Sequence, residues 1–217
     1  MSANMITVIR ILLAFLTIYL YGKGYFPAFI AFFLTIIVIY LDALDGYIAR
    51  KFGAASDFGA LLDITGDRIV ENIYWIYFAT IGMVTFWIPV FVIARGFLTD
   101  TVRSVAFAEG MTPFGEKTMM KSTLTRLLVS SRVSRGLYGV LKAVVFCYLG
   151  FIVAMEKAIT YGAIGPHEKF MTANHLISSI LVWVVFFMCI IRGLPVLWDG
   201  KEYVLAKRFP REIKNES

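Results

Sequence analysis

The stretch LDALDGYIARKFGAASDFGALLDITGDR, residues Leu41–Arg68, decides how the chain is read. It sets Asp42, Asp45, Asp63 and Asp67 inside or beside strongly apolar segments, with FPAFIAFFLTIIVIY upstream and IVENIYWIYFATIGMV downstream. A carboxylate at membrane depth costs roughly 2.5–3.5 kcal/mol on insertion scales, so four of them require a compensating cation and mark a functional site. Asp42 and Asp45 are three residues apart, and Asp63 and Asp67 are four apart. Those spacings put each pair on one face of a helix. Two such helices side by side bring the four carboxylates to one spot. Oxygen-only ligands suit a hard cation such as Mg²⁺ or Mn²⁺, and the stretch holds no Cys or His to favour zinc or copper. Gly46, Ala49, Gly59, Ala60 and Gly66 accompany the acids; small residues leave room for a ligand to approach the backbone. Arg50 closes the first half, where a guanidinium can hold phosphate oxygens bidentately.

Composition agrees with a membrane setting. Hydrophobic residues make up 59% of the 217 and the mean hydropathy is +0.75, far above a soluble domain. The length suggests one domain. The net charge of +6 reports cytoplasmic loops and contact with anionic lipid rather than nucleic acid. Cys147 and Cys189 lie far apart in apolar runs and read as buried free thiols. His167 and His175 are isolated and read as loop or helix-end residues. Arg10 is one early charge in an apolar run without an A-x-A-like site, which marks a first membrane helix rather than a cleaved signal.

A membrane-spanning helix needs about 20 apolar residues. By that measure the expected spans are Met5–Tyr21, Pro27–Ile48, Gly59–Val84, Phe86–Phe107, Leu137–Met155 and Asn174–Ile191. The expected fold is an all-α integral membrane protein of six transmembrane helices, with a polar, cytoplasm-facing active site inside the bundle. Residues 1–194 form the membrane domain and 195–217 a cytoplasmic tail, the chain from Arg192 onward lying at the surface. An amphipathic connection from Glu109 to Arg135 joins the fourth and fifth spans. With the end of the fourth, it carries Arg103, Lys117, Lys121, Arg126, Arg132 and Arg135. The loop after the second span carries Arg50 and Lys51, and the opposite side only Lys23, Lys157 and Lys169. The positive-inside rule therefore turns both termini and the acid cluster to the cytoplasm.

The pattern Asp42-x-x-Asp45-Gly46-x-x-Ala49-Arg50, then eight residues, then Gly59-x-x-x-Asp63-x-x-x-Asp67 resembles the signature of the CDP-alcohol phosphotransferases. A lone D-x-x-D would say little; eight fixed residues across two helices are specific. The resemblance implies a phospholipid-synthesis transferase that moves a phosphatidyl group from CDP-diacylglycerol to a polyol and releases CMP. It implies one or two Mg²⁺ or Mn²⁺ ions held by Asp42, Asp45, Asp63 and Asp67, with Asp67 as the base that takes the acceptor proton. It places Asp42, Gly46, Ala49, Arg50, Gly59 and Asp63 around the donor, with Arg50 on the diphosphate. The family is commonly dimeric, so a homodimer is expected.

The acceptor is read from the basic residues. Arg95 and Arg103 look like the Arg pair of the phosphatidylglycerophosphate synthases, although Gly96 stands where that group usually has Glu, and Gly139-Val140-Leu141-Lys142 lacks one Lys of its fifth-helix segment. Asp42-Ala43-Leu44-Asp45-Gly46, Asp67-Arg68 and Arg132-x-x-Arg135 look more like the inositol-lipid branch. Both suit a phosphorylated polyol held by Arg95, Arg103, Arg132, Arg135 and Lys142. Glycerol 3-phosphate is the expected acceptor, with inositol phosphate or inositol as the alternative. A cation transporter is the rival from another class, since paired acids also bind ions in transit. Arg50, the missing repeats and the lack of Gly/Pro-interrupted helices in matching halves stand against it. The complete set of four acids stands against a non-catalytic lipid binder.

Overall fold

The computed structural model describes residues 3–52, 57–108, 127–129 and 131–205, the side chains of 3, 43, 45–52, 57, 58, 60, 107, 108, 132 and 202–205 excepted. Among the described residues there is no strand, and six long helices follow one another: α1 Ala3–Tyr21, α2 Tyr25–Phe52, α3 Asp57–Thr80, α4 Trp87–Ala108, α5 Arg132–Thr160 and α6 Glu168–Leu205. Four contain stretches long and apolar enough to cross a membrane: Asn4–Tyr21, Tyr25–Asp42, Val133–Thr160 and Glu168–Lys201. The helices α3 and α4 are long but interrupted by charge, α3 by Asp63, Asp67, Arg68 and Glu71, and α4 by Arg95, Asp100 and Arg103. Apolar side chains such as Leu12, Phe33, Tyr40, Val140 and Leu176 remain exposed on the helix surfaces, as a lipid-facing exterior requires.

Several boundaries differ from the sequence reading. Helix α2 runs on to Phe52 rather than Ile48, so Arg50 and Lys51 belong to the helix. The third helix stops at Thr80, short of Val84, because Gly82 adopts φ +80°. Gly82 N–H donates to Ala79 O at 3.1 Å and Met83 N–H to Phe78 O at 3.0 Å, the paired bonds of a Schellman cap. The same device ends α5, where Gly162 (φ +72°) donates to Ile159 O and Ala163 to Ala158 O. Most of the expected Glu109–Arg135 connection, with Lys117, Lys121 and Arg126, lies outside the described residues; its end, from Arg132, is already helix.

The last helix does not stop at Ile191. It continues across Pro195 to Leu205, although proline removes one backbone hydrogen bond. Arg192 and Asp199, read as surface residues, are buried. Arg192 Nη1 donates to Leu128 O at 3.2 Å and to Ser134 Oγ. Those partners compensate the desolvated charge.

Contacts divide the chain into two units, residues 1–93 with 137–188 and residues 94–136 with 189–217. In the first, the Tyr21 hydroxyl (α1) lies 3.0 Å from Thr35 Oγ1 (α2), and the Tyr74 hydroxyl (α3) donates to the same oxygen at 3.4 Å. This buried junction ties together the three helices that carry the acids and their cation. Gly150 on α5 is required beside it, because a Cβ there would run into the Tyr21 hydroxyl. Tyr74, Trp75 and Phe78 pack on Phe146 with ring centroids 5.1–6.3 Å apart, joining α3 to α5. Near the start of α6, His175 Nε2 lies 2.9 Å from Glu156 Oε1 on α5, so His175 is not isolated. In the second unit Val102, Ala106, Val129 and Val196 form a small core. There Gly193 leaves space for Arg95, whose Cγ would lie 2.8 Å from an added Cβ. Cys147 and Cys189 are free, as expected, but only Cys189 is buried; Cys147 is partly exposed.

Candidate active site

Asp63 and Asp67 stand one turn apart on α3, and Asp42 stands on α2. Carboxylate oxygens of the three lie within 4.8 Å of one another. The side chains of Asp45, Gly46, Ala49 and Arg50, on the last turns of α2, lie outside the described residues; Gly59 sits in the first turn of α3. The three carboxylates are about half exposed, at 50%, 45% and 51% for Asp42, Asp63 and Asp67. They open outward while their compensating charge sits beneath them.

That charge is Arg10 of α1, whose side chain is 1% exposed. Its Nη1 contacts Asp42 Oδ1, and its Nη2 lies 2.7 Å from Asp67 Oδ1 and 3.8 Å from Asp63 Oδ1. The close approach of α1 depends on Gly66: an added Cβ would lie 2.6 Å from Thr7 Cγ2 and 3.2 Å from Arg10 Nη2. The space at Gly66, read from sequence as room for a ligand, is taken by α1 itself. Sequence reasoning noted Arg10 only as an early charge. The signal was present: a lone Arg in an apolar helix needs a counter-charge, and so did the acids.

A second polar cluster lies one turn further along α3. Glu71, 5% exposed, accepts from Lys142 Nζ of α5 at 2.8 Å and from the Tyr138 hydroxyl at 3.4 Å. Arg68 Nη1 lies 3.6 Å away. Lys142, expected at an acceptor phosphate, is engaged here with Glu71. Glu71 was not singled out from sequence, although it follows Asp67 at helical spacing. The other expected acceptor residues fall in the second unit. Arg95 lies against Gly193, and Arg103 pairs with Asp100 at 3.5 Å. Arg135 donates its backbone N–H to Ser131 O at 3.2 Å. The side chain of Arg132 lies outside the described residues.

Three carboxylates against one guanidinium leave a charge of −3 + 1 = −2 at the described part of the site. An all-oxygen set of that charge, open on one side, fits a hard divalent cation. Apolar helices of spanning length around such a site define an integral membrane protein with an acidic centre in its helices. The chain belongs to the CDP-alcohol phosphatidyltransferase family, whose family model matches residues 1–198. Members of this family generally depend on a divalent metal. The chain is 27% identical over 115 residues to a protein of Mycobacterium tuberculosis (strain H37Rv) named "Probable phosphatidylglycerophosphate synthase", covering 51% of this chain and 55% of that one. It is 36% identical over 75 residues to the "CDP-diacylglycerol--glycerol-3-phosphate 3-phosphatidyltransferase" of Mycoplasma genitalium, covering 35% and 32%. The match thus spans about half of the mycobacterial relative's length and a third of the mycoplasmal one's.

Proposed function

We propose that the protein transfers a phosphatidyl group from CDP-diacylglycerol to glycerol 3-phosphate and releases CMP. The observation that carries this is the convergence of Asp42, Asp63 and Asp67 from two helices, within the residues that the family model matches. The names of the mycobacterial and mycoplasmal relatives support the acceptor, and family membership favours a transferase over cation transport.

In this reading the acceptor hydroxyl oxygen bonds to the phosphorus that bears diacylglycerol, and the bond from that phosphorus to the CMP oxygen breaks. Asp67 takes the hydroxyl proton, a task for a carboxylate within hydrogen-bond reach. Bound Mg²⁺ or Mn²⁺, held by Asp42, Asp45, Asp63 and Asp67, supplies charge neutralisation to the diphosphate and the leaving CMP. Gly46, Ala49 and Gly59 pack around the cytidine, and Arg50 holds the diphosphate. Arg95, Arg103, Arg132, Arg135 and Lys142 provide cations for the acceptor phosphate, each charge-assisted bond contributing roughly 1.5–3 kcal/mol. All six helices span the membrane in a homodimer, and the site and both termini face the cytoplasm. The membrane domain is residues 1–194, and residues 195–217, which begin within α6, reach the cytoplasm.

The test is one assay on purified protein with CDP-diacylglycerol, Mg²⁺ and a panel of glycerol 3-phosphate, inositol phosphate, inositol and glycerol. CMP release and the lipid product are read. Release is expected to require the divalent ion and to be fastest with glycerol 3-phosphate. Best turnover with an uncharged alcohol overturns the acceptor, and no CMP release with any acceptor overturns the transferase.

A further inference from the structure

Arg10 touches the same oxygens that a metal ion needs. Its two terminal nitrogens engage Oδ1 of Asp42 and Oδ1 of Asp67, and Asp63 Oδ1 is 3.8 Å away. An ion of the Mg²⁺ type sits about 2.0–2.1 Å from its ligand oxygens, so ion and guanidinium compete for the Oδ1 atoms of Asp42 and Asp67 and repel each other across them. The backbone of α1 has little freedom to withdraw, because Thr7 and Arg10 are seated against Gly66. The arginine side chain is long and always charged, and it is 1% exposed. Any change of partner must therefore occur by side-chain rotation within the site.

We propose that Arg10 is the resting counter-cation of the acid cluster, and that divalent metal displaces its guanidinium from Asp42 and Asp67 onto the donor diphosphate. This rests on the metal-dependent transferase reading above. Charge supports the exchange. With Asp45 counted among the acids, the proposed site carries −3 with Arg10 in place; one divalent ion brings it to −1 and a second to +1, and the guanidinium so released suits an anionic donor. Arg10 thereby opposes metal binding and, once metal is bound, favours donor binding. A purely structural arginine has no such pair of opposite effects.

The experiment uses the full-length protein in lipid nanodiscs, with Mn²⁺ alone as the first probe. Free Mn²⁺ is read by electron paramagnetic resonance, and thermal stability is followed with and without the ion. Arg10→Gln is expected to bind Mn²⁺ roughly tenfold or more tightly than the wild type, the scale of one charge-assisted hydrogen bond. It should also show a larger Mn²⁺-dependent rise in Tm and a weaker affinity for CDP-diacylglycerol. Unchanged or weaker Mn²⁺ binding overturns the proposal. Should Arg10→Gln fold only with Mn²⁺ present, the counter-cation role is supported. Should it not fold at all, Arg10→Lys decides: a point charge that bridges two carboxylates poorly must raise Mn²⁺ affinity, and an unchanged affinity refutes the exchange. A wild type that binds no Mn²⁺ instead refutes the metal reading itself.

Discussion

Replacing Lys142 by methionine removes the closest cation among the described residues from a carboxylate that has almost no access to solvent. Glu71 has a side chain 6% exposed, and Lys142 Nζ lies 2.8 Å from its Oε2. Breaking a fully buried ion pair by deleting one partner costs roughly 3–5 kcal/mol, because the remaining charge stays desolvated. Here the cost is smaller. Lys142 is 22% exposed, which screens part of the interaction, and the Tyr138 hydroxyl and Arg68 remain within 3.4 and 3.6 Å of the carboxylate. We expect about 2–3 kcal/mol, which corresponds to a fall in Tm of roughly 4–12 °C for a chain of this size. Glu71→Gln combined with Lys142→Met removes the stranded charge and retains an acceptor for Tyr138. The double variant should recover most of the loss, giving a coupling of at least about 1 kcal/mol in a double-mutant cycle. The assay is thermal unfolding in detergent of wild type, both single variants and the pair. Additive effects, or a Lys142→Met protein as stable as wild type, would refute the buried pair. The same four proteins separate folding from binding. If Lys142 also holds the acceptor phosphate, the double variant regains stability but keeps a raised KM for glycerol 3-phosphate.

Three further outcomes are expected. Asp42→Asn should abolish turnover and weaken Mg²⁺-dependent donor binding, whereas Asp67→Asn should lose turnover by orders of magnitude yet keep much of the donor affinity, as a base acts mainly on the transition state; equal loss of donor affinity in both makes Asp67 primarily a ligand. Gly66→Ala should destabilise the protein by about 1–3 kcal/mol through overpacking against Thr7, and adding Thr7→Ser, which removes the clashing methyl, should restore stability; no change in Tm for Gly66→Ala would deny the close α1–α3 approach. A cysteine placed at Ser56 should react with an impermeant label only from the cytoplasmic side and one at Lys23 only from outside, and the reverse pattern would remove the site from cytoplasmic nucleotide.

The acids were legible because their spacing is local. Asp63 and Asp67 share a face by helical geometry alone, and an apolar context makes such a face conspicuous. The glycines that end α3 and α5 were readable only in part: Gly162 fell in an expected loop, but Gly82 was placed inside a span. Its positive φ depends on where the Schellman bonds close, which a hydropathy run does not reveal. The pairings of Arg10 and Glu71 are hidden in the sequence for a different reason. Their partners lie 57 and 71 residues away, and pairing over such separations is set by which helices become neighbours. Lys142 resembles part of a family segment, and nothing local in the sequence pairs it with Glu71. Arg192 was read as the start of a surface tail because charge usually means solvent; the carbonyl of Leu128 and the hydroxyl of Ser134 reverse that expectation.

The third helix shows how the long-range pairs and the chemistry depend on one another. Within nine residues it carries Asp63, Asp67, Arg68 and Glu71, a density of charge that would make it a costly span on its own. Its polar face meets a cation on each of two sides, from helices that do qualify as spans. The first, α1, contributes Arg10 to the acid cluster, and α5 contributes Lys142 to Glu71. Neither cation belongs to the motif, and each is held by a helix with an apolar stretch long enough to cross a membrane. The motif can therefore be complete in sequence and still unusable if α1 or α5 is displaced. Loss of Arg10 leaves three half-exposed carboxylates that water and a metal ion can still serve. Loss of Lys142 leaves a buried carboxylate that neither can reach as easily. The first change should therefore register chiefly as altered ion and donor affinity, and the second chiefly as lost stability. Opposite assignments in the two sets of variants would refute the division into a proposed ion-binding cluster and a buried pair that joins two helices.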